Sequence, residues 1–287
     1  MWTALAATVP LLVGCQGPQS ALDPASGTAR ELAHLWVVMS SVAGAVLLLV
    51  TVLWLYALFR TPRRYQQPQA RRVQRRLLIG GGLLLPTVSV SALLVYGVNA
   101  ARDMLPLPLE GETPLRVAIT GHQWWWEVRY PDSGVVTANQ LILPLGRAVD
   151  VELTSADVIH AFWVPSLGGK LDMTPGRRNL MRLRADREGV LRGQCAEFCG
   201  TQHAHMILHV EVLPEERFDA WLDARAERAA IAPAPGAAGE LFAARCGLCH
   251  RVEGITDGQR APDLTDLASR PTLGAGVITN DAAGLRR

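Results

Sequence analysis

Gly193-Gln194-Cys195-Ala196-Glu197-Phe198-Cys199-Gly200-Thr201-Gln202-His203-Ala204-His205-Met206 is the stretch from which the rest of the chain can be read. Cys195 and Cys199 stand four positions apart, His203 follows four further on, and Met206 three beyond that. Thiolate, imidazole and thioether are soft or borderline donors, and among the common metals this combination selects copper in an electron-transfer site. The loop lacks a second imidazole. Its supplier is His160, in Asp157-Val158-Ile159-His160-Ala161-Phe162-Trp163-Val164-Pro165, which reads as the end of a preceding strand. Two cysteines and two histidines allow two copper ions to share bridging thiolates. A Cys195–Cys199 disulfide and a Cys2His2 zinc site are competing readings of the same residues. Zinc explains neither Met206 nor the tryptophan cluster described below. His205 occupies a spacer position and His209 lies outside the motif, so neither is assigned to a metal.

Around this loop the chain has strand character. Leu115–Thr120, Gln140–Leu143, Val149–Leu153 and Ile207–Val212 are short and β-branched, with partial alternation and turns of Pro, Gly and Asp between them. Short strands at this spacing predict an antiparallel sandwich or barrel, and the ligand pattern narrows it to a cupredoxin-like β-sandwich over about residues 100–231. Pro214 to about Ala230 is predicted as a closing helix, with Glu215 and Glu216 in its first turn. Phe218, Trp221, Leu222 and Ala226 would pack one face of it.

Toward the amino terminus the composition changes. Hydrophobic residues make up 49% and charged residues 19% of the 287, and the apolar share is concentrated in the first hundred positions. Leu32–Phe59 is an uncharged run long enough to cross a bilayer, and Leu77–Val98 is a second. The Gly80-Gly81-Gly82 run and Pro86 inside the second are tolerated within membranes. Arg60, Arg63, Arg64, Arg71, Arg72, Arg75 and Arg76 lie between the spans without an acid, while the whole chain carries only +2. That total points to no nucleic-acid partner. Short Lys/Arg-rich loops stay cytoplasmic, so residues 32–99 read as a hairpin in a bacterial inner membrane, with cytoplasmic loop 60–76. Both termini and the β-domain then face outward. Residues 1–14 resemble a lipoprotein signal ending before Cys15, the expected lipid-bearing residue of an exported segment 15–31, although no Lys or Arg precedes it.

Beyond the helix, 232–239 is an Ala/Pro/Gly linker. The segment 240–287 opens on an amphipathic run leading to Cys246-Gly247-Leu248-Cys249-His250. Cys-x-x-Cys-His is the attachment pattern for c-type haem: the thiols add to the vinyl groups and the histidine binds iron. A redox dithiol is the competing reading. The expectation is a short, partial α-helical haem domain. No Met follows Met206 and no His follows His250, which leaves three readings: a domain cut short, haem bound with an open or foreign sixth iron position, or no haem bound at all.

The copper loop, the Gly121-His122-Gln123-Trp124-Trp125-Trp126 run, Pro165-Ser166-Leu167-Gly168-Gly169-Lys170-Leu171-Asp172 and Pro175-Gly176-Arg177 together resemble cytochrome c oxidase subunit II over about residues 20–230. The haem segment resembles the cytochrome c extension of some bacterial members. The resemblance implies a dinuclear copper A centre bridged by Cys195 and Cys199, with His160 and His203 as terminal ligands and Met206 as a weak axial one. Glu197 would lend its backbone carbonyl to copper and its carboxylate to a magnesium ion at the subunit I boundary. Trp124 would receive electrons from cytochrome c. Lys170, the only lysine, falls in the segment that faces subunit I. Many members carry a glutamate where this chain has Ile79, so no proton-admitting carboxylate is expected here.

The implied function is the electron-input subunit of a proton-pumping haem–copper terminal oxidase. Its partners would be subunit I and other oxidase subunits, a cytochrome c donor and membrane lipid, with no oxygen-reducing site on this chain. A copper-less quinol-oxidase subunit and a membrane-anchored copper carrier or assembly protein are the alternatives. The ligand set argues against the first, and Trp124, Lys170 and the haem pattern against the second.

Overall fold

The computed structural model describes residues 15–60, 67–102, 105–230 and 236–286. The signal-like residues 1–14, the centre of the arginine loop and linker positions 231–235 lie outside the described residues. The described parts of Met1–Arg30 and Met104–Arg287 form one compact unit, and those of Glu31–Asp103 a second.

The second unit is helical. Helix α1 spans Gly27–Phe59. Helix α2 (Gln67–Ile79) continues through a π turn, Gly80–Leu84, into α3 (Leu85–Ala101). The π turn has a local cause. Pro86 has no amide hydrogen and its ring crowds the carbonyl four residues back; the glycine run lets the backbone widen there, and the Leu85 amide donates to the Gly80 carbonyl. Two continuous helices, Gly27–Phe59 and Pro68–Asn99, are long and apolar enough to cross a membrane. Trp36, Leu47, Trp54, Leu78, Leu85 and Leu94 are among their many exposed apolar side chains. A polar clasp joins the helices where Tyr96 Oη donates to Glu31 (3.0 Å) and lies 3.2 Å from His34 Nδ1.

The first unit is a sandwich of two five-stranded sheets. Its strands are β1 Leu115–His122, β2 Trp125–Tyr130, β3 Val135–Ala138, β4 Gln140–Pro144, β5 Val149–Ser155, β6 His160–Trp163, β7 Leu171–Met173, β8 Asn179–Leu183, β9 Gly189–Cys195 and β10 Ile207–Leu213. One sheet runs β3-β2-β1-β5-β8 and the other β4-β10-β9-β6-β7. The sheets are mixed, where the sequence predicts antiparallel pairing: β5 pairs parallel to β1, and β4 parallel to β10. The chain leaves the first sheet after β3, places β4 in the second and returns beside β1, so β5 comes back in the same sense.

Strands β1 and β5 alternate buried and half-buried residues along most of their lengths, as period-two geometry requires of a sheet with one face on a core. Ile119, Val151 and Leu153 from one sheet and Leu141, Phe162, Leu208 and Val210 from the other fill that core. Helix α4 (Glu215–Ala230) closes it with Phe218 fully buried and Trp221, Leu222 and Ala226 packed alongside.

Two further segments pack against the sandwich. Residues before Arg30 are anchored by Ser26, whose Oγ accepts from Ala29 N at the start of α1 (2.9 Å) and donates to the Leu167 carbonyl (2.8 Å). The carboxyl-terminal tail follows α4. It holds one nine-residue helix, α5 (Ala237–Arg245), then two-stranded ribbons β11–β12 (Arg251–Val252, Thr256–Asp257) and β13–β14 (Thr272–Leu273, Ile278–Thr279). It is therefore less helical than the sequence predicts, because glycines, prolines and aspartates interrupt every run after Cys246. Ile207 N donates to the Ala275 carbonyl (3.0 Å) and Arg225 pairs with Asp266 (2.8 Å), so the tail docks on the sandwich as part of the same unit.

Candidate metal centre

β9 ends at Cys195, and the loop after it turns through Cys199 into a 3-10 turn, His203–His205, before Met206 and β10. His160 opens β6, beside β9 in the same sheet; it begins a strand, where the sequence suggested that it ends one. The antiparallel register of β6 against β9 places Phe162 opposite Cys195, which brings His160 over the loop.

The donor atoms converge. Cys195 Sγ lies 3.8 Å from His160 Nδ1, 3.9 Å from Cys199 Sγ and 3.2 Å from the Glu197 carbonyl. Cys199 Sγ lies 3.6 Å from His203 Nδ1 and 3.9 Å from Met206 Sδ. His160, Cys195, Cys199 and Met206 are all buried, and both cysteines are free thiols. Burial raises both thiols, but hydrogen bonds from His160 and the loop backbone outweigh it at Cys195, whose acidity is increased. Burial and then the adjacent Cys195 charge push Cys199 up. Two protons leave such a pair in separate steps, and a cation bound to both sulfurs removes the repulsion that holds the second.

Several residues without a sequence-level role shape this site. Asp157 Oδ1 accepts from His160 Nε2 (2.8 Å) and its Oδ2 accepts from the Gln123 amide (2.7 Å). That bond fixes the imidazole with Nδ1 toward the sulfurs, as carboxylates behind metal-ligating histidines do. A carboxylate three residues before a candidate ligand histidine was the available signal. Gly121 is needed by close approach, since a Cβ there would lie 2.9 Å from the His160 ring. Gly200 has φ +119° and packs on Gln123 and Trp124, so it serves both conformation and space.

Trp124 lies in the turn between β1 and β2. Its Nε1 donates to the Cys199 carbonyl (3.2 Å), and Gln123 Nε2 donates to the same oxygen (2.8 Å). Trp126 is fully buried, edge-on to Phe162, and Trp125 stacks on His122. The Glu197 carboxylate is half-exposed, 3.7 Å from Lys170 Nζ, so a cation at that carboxylate would compete with the lysine. His205 is exposed with Nδ1 on Gln202, and His209 faces Glu211; both stay outside the cluster. Cys15 is a half-buried free thiol.

In the tail, the Cys249 and His250 amides both turn back to the Cys246 carbonyl (3.1 and 3.0 Å). His250 Nδ1 donates to the Pro262 carbonyl (2.8 Å), which leaves the Nε2 lone pair free to bind a metal. Cys246 is exposed, Cys249 half-buried, and both are free thiols. His250 and Pro262 line a cavity of about 550 Å³ whose other wall includes Trp124 and Trp125.

Residues 133–213 match the family described as cytochrome c oxidase subunit II, periplasmic domain. The chain is 29% identical to cytochrome c oxidase subunit 2 of Alkalihalophilus pseudofirmus, over 98% of this chain and 86% of that one. It is 31% identical to the Bacillus subtilis protein of the same name, over 95% of this chain and 83% of that one. Among solved structures it is similar to the periplasmic domain of cytochrome oxidase subunit II from Bradyrhizobium japonicum, with 31% identity and a TM-score of 0.40, over 42% of this chain and 99% of that one. With identity of this order along nearly its whole length, two apolar helices ahead of a β-sandwich, and a buried Cys–Cys–His cluster at the sandwich end, the chain belongs to the cytochrome c oxidase subunit II family.

Proposed function

We propose that this chain is the electron-input subunit of a haem–copper oxidase, taking electrons from a cytochrome c donor for delivery to subunit I, where oxygen is reduced and protons are pumped. The observation that carries it is the convergence of two thiols, two imidazole Nδ1 atoms and a thioether in one water-poor pocket, hydrogen-bonded directly to an indole. This donor set fits copper and gives zinc no use for the thioether. Cys195 and Cys199 would bridge a copper pair, His160 and His203 would cap it, and Met206 and the Glu197 carbonyl would be weak outer donors. Such a pair, when bound, supplies a one-electron carrier whose oxidation state changes with little rearrangement.

The protein's own part is to hold the donors rigid and dry. β6 and β9 fix His160 and Cys195, Asp157 orients the imidazole, and the Trp124 bond to the Cys199 carbonyl joins the electron-receiving ring to a ligand by one residue. The Glu197 carboxylate is the candidate magnesium ligand at the boundary with subunit I. Cys246 and Cys249 would tether a c-type haem with His250 on its iron, a reading supported by the His250–Pro262 bond. The arginine-rich stretch between the two spans supports a hairpin with the sandwich on the outer face of the membrane, and Cys15 is the candidate lipid attachment.

Metal and electron paramagnetic resonance analysis of the full chain, purified in detergent, tests this function. The expected result is two coppers per chain with one unpaired electron shared over both, a signal lost in Cys199→Ser. A chain that takes up zinc but cannot be loaded with copper refutes it.

A further inference from the structure

One end of the helical unit carries positive charge that no acid of the chain answers. Arg71, Arg72, Arg75 and Arg76 stand on α2 just ahead of the uncharged run that starts at Leu77, and all four are exposed. No Asp or Glu occurs between Glu31 and Asp103, and Glu31 is engaged by Tyr96 in the clasp (3.0 Å). Among the described residues none of the four arginines has a hydrogen bond or ion pair. Guanidinium groups gathered without an acid repel one another, and an anion from outside the chain relieves that repulsion.

A recess of about 450 Å³ gives this anion a shape. Arg72, Arg75, Arg76, Ile79, Gly80 and Leu84 line it. They recur at steps of three and four, so α2 and the π turn present them as one stripe, cationic at one end and apolar at the other. Gly80 leaves the middle of the stripe open, since a Cβ there would meet nothing beyond the local helix within 4 Å. From Arg76 to Leu84 the helix advances roughly 12 Å, close to the depth of one hydrocarbon leaflet. A soluble anion would fill the cationic end only. A phosphodiester that carries an acyl chain fills both, with the guanidinium forks on phosphate oxygens and the chain along Ile79, Gly80 and Leu84.

We propose that this recess binds one anionic glycerophospholipid of the cytoplasmic leaflet, with Arg72, Arg75 and Arg76 on its phosphate and an acyl chain in the notch at Gly80. The leaflet rests on the hairpin orientation given above; the site itself does not. A lipid held there fixes the depth of the second span, because sliding the helix in either direction parts the guanidinium groups from the phosphate.

Native mass spectrometry of the full chain in detergent, titrated with phosphatidylglycerol or phosphatidylcholine, tests the site. The titration is run in about 0.15 M ammonium acetate, where diffuse attraction is screened beyond about 8 Å. The expected result is one phosphatidylglycerol per chain, bound at least about tenfold more tightly than phosphatidylcholine. Arg76→Gln should weaken phosphatidylglycerol by about tenfold, as loss of a charged hydrogen-bond donor does. Arg71→Gln, outside the recess, should change it by less than about twofold. Gly80→Leu keeps every charge but fills the notch, and should also weaken binding. Equal losses in Arg71→Gln and Arg76→Gln would reduce the site to a diffuse basic surface and overturn the proposal. So would unaltered binding in Gly80→Leu, equal binding of phosphatidylcholine, or displacement by glycerol phosphate as effective as by phosphatidylglycerol. Binding is read here without a membrane. A reversed hairpin, found by thiol labelling of the loop, therefore overturns the leaflet and leaves the site standing.

Discussion

Asp157 shows how much of the metal centre depends on a residue that is not itself a ligand. Its two carboxylate oxygens join His160 to the backbone of the tryptophan turn, so one side chain sets both the imidazole orientation and the position of Gln123–Trp124. Asp157→Asn should leave the sandwich folded and the ligands in place but weaken their alignment. Copper affinity is expected to fall by about 10- to 100-fold, the range for lost outer partners of metal ligands, read by competition with a copper chelator. Unchanged affinity would mean that β6 alone orients His160.

At the scale of elements, the sandwich depends on cross-sheet polar bonds as well as apolar packing. Tyr130 on β2 is buried, and its hydroxyl donates to the Ile142 carbonyl and accepts from the Ile142 amide on β4, both at 2.8 Å. This ties β2, next to the edge of one sheet, to β4, the edge strand of the other. Tyr130→Phe leaves a buried amide and carbonyl without that partner. The expected cost is about 1–3 kcal/mol, measured by denaturant unfolding of the detergent-purified chain. Substitution at the exposed neighbour Arg129 serves as the control and should cost well under that. In the helical unit, the π turn at Gly80–Leu84 follows from the placement of the glycines and Pro86, so it is a property of that segment of sequence itself.

At the scale of the whole molecule, surface carboxylates tie distant segments of the β-domain together. Glu112 accepts from the Ala148 amide (2.9 Å) and pairs with Arg184 (2.6 Å), and these partners, the amide first, hold its pKa below the ordinary 4.5. Asp23 is held below 3.8 by Arg187 and the Gly17 amide. A depressed carboxylate stabilises the fold above its unfolded value and loses that contribution as pH falls through its folded value. The chain should therefore lose stability as pH drops below about 4.5. The gap in unfolding midpoint between wild type and Glu112→Gln should close over the same range; a gap that persists under strong acid would show that Glu112 acts through packing. The hairpin makes a separate prediction. With Cys15, Cys246 and Cys249 changed to serine, since these free thiols face outward in the same reading, Gln69→Cys beside the arginines should be labelled by an impermeant thiol reagent only after the membrane is opened, as a basic cytoplasmic loop requires. Labelling of intact cells would reverse the orientation.

The sequence by itself determined the elements whose causes are local. Uncharged runs of sufficient length give α1 and the second span, period-two patterning gives β1, β5 and β10, and the spacing of Cys195, Cys199, His203 and Met206 announces a soft-metal loop. His160 could be proposed as the missing donor from its residue type. Only the tertiary structure decided that β6 sits beside β9, that β1–β5 and β4–β10 run parallel, and that Asp157, Gly121 and Gly200 serve the site. These depend on register and close approach between segments far apart in the chain, which no local pattern encodes. The same limit applies to the tail. Cys246, Cys249 and His250 are legible as a motif, whereas the cavity that His250 shares with Trp124 and Trp125 exists only once the tail is folded onto the sandwich, because a wall built from distant segments is a property of the packed chain.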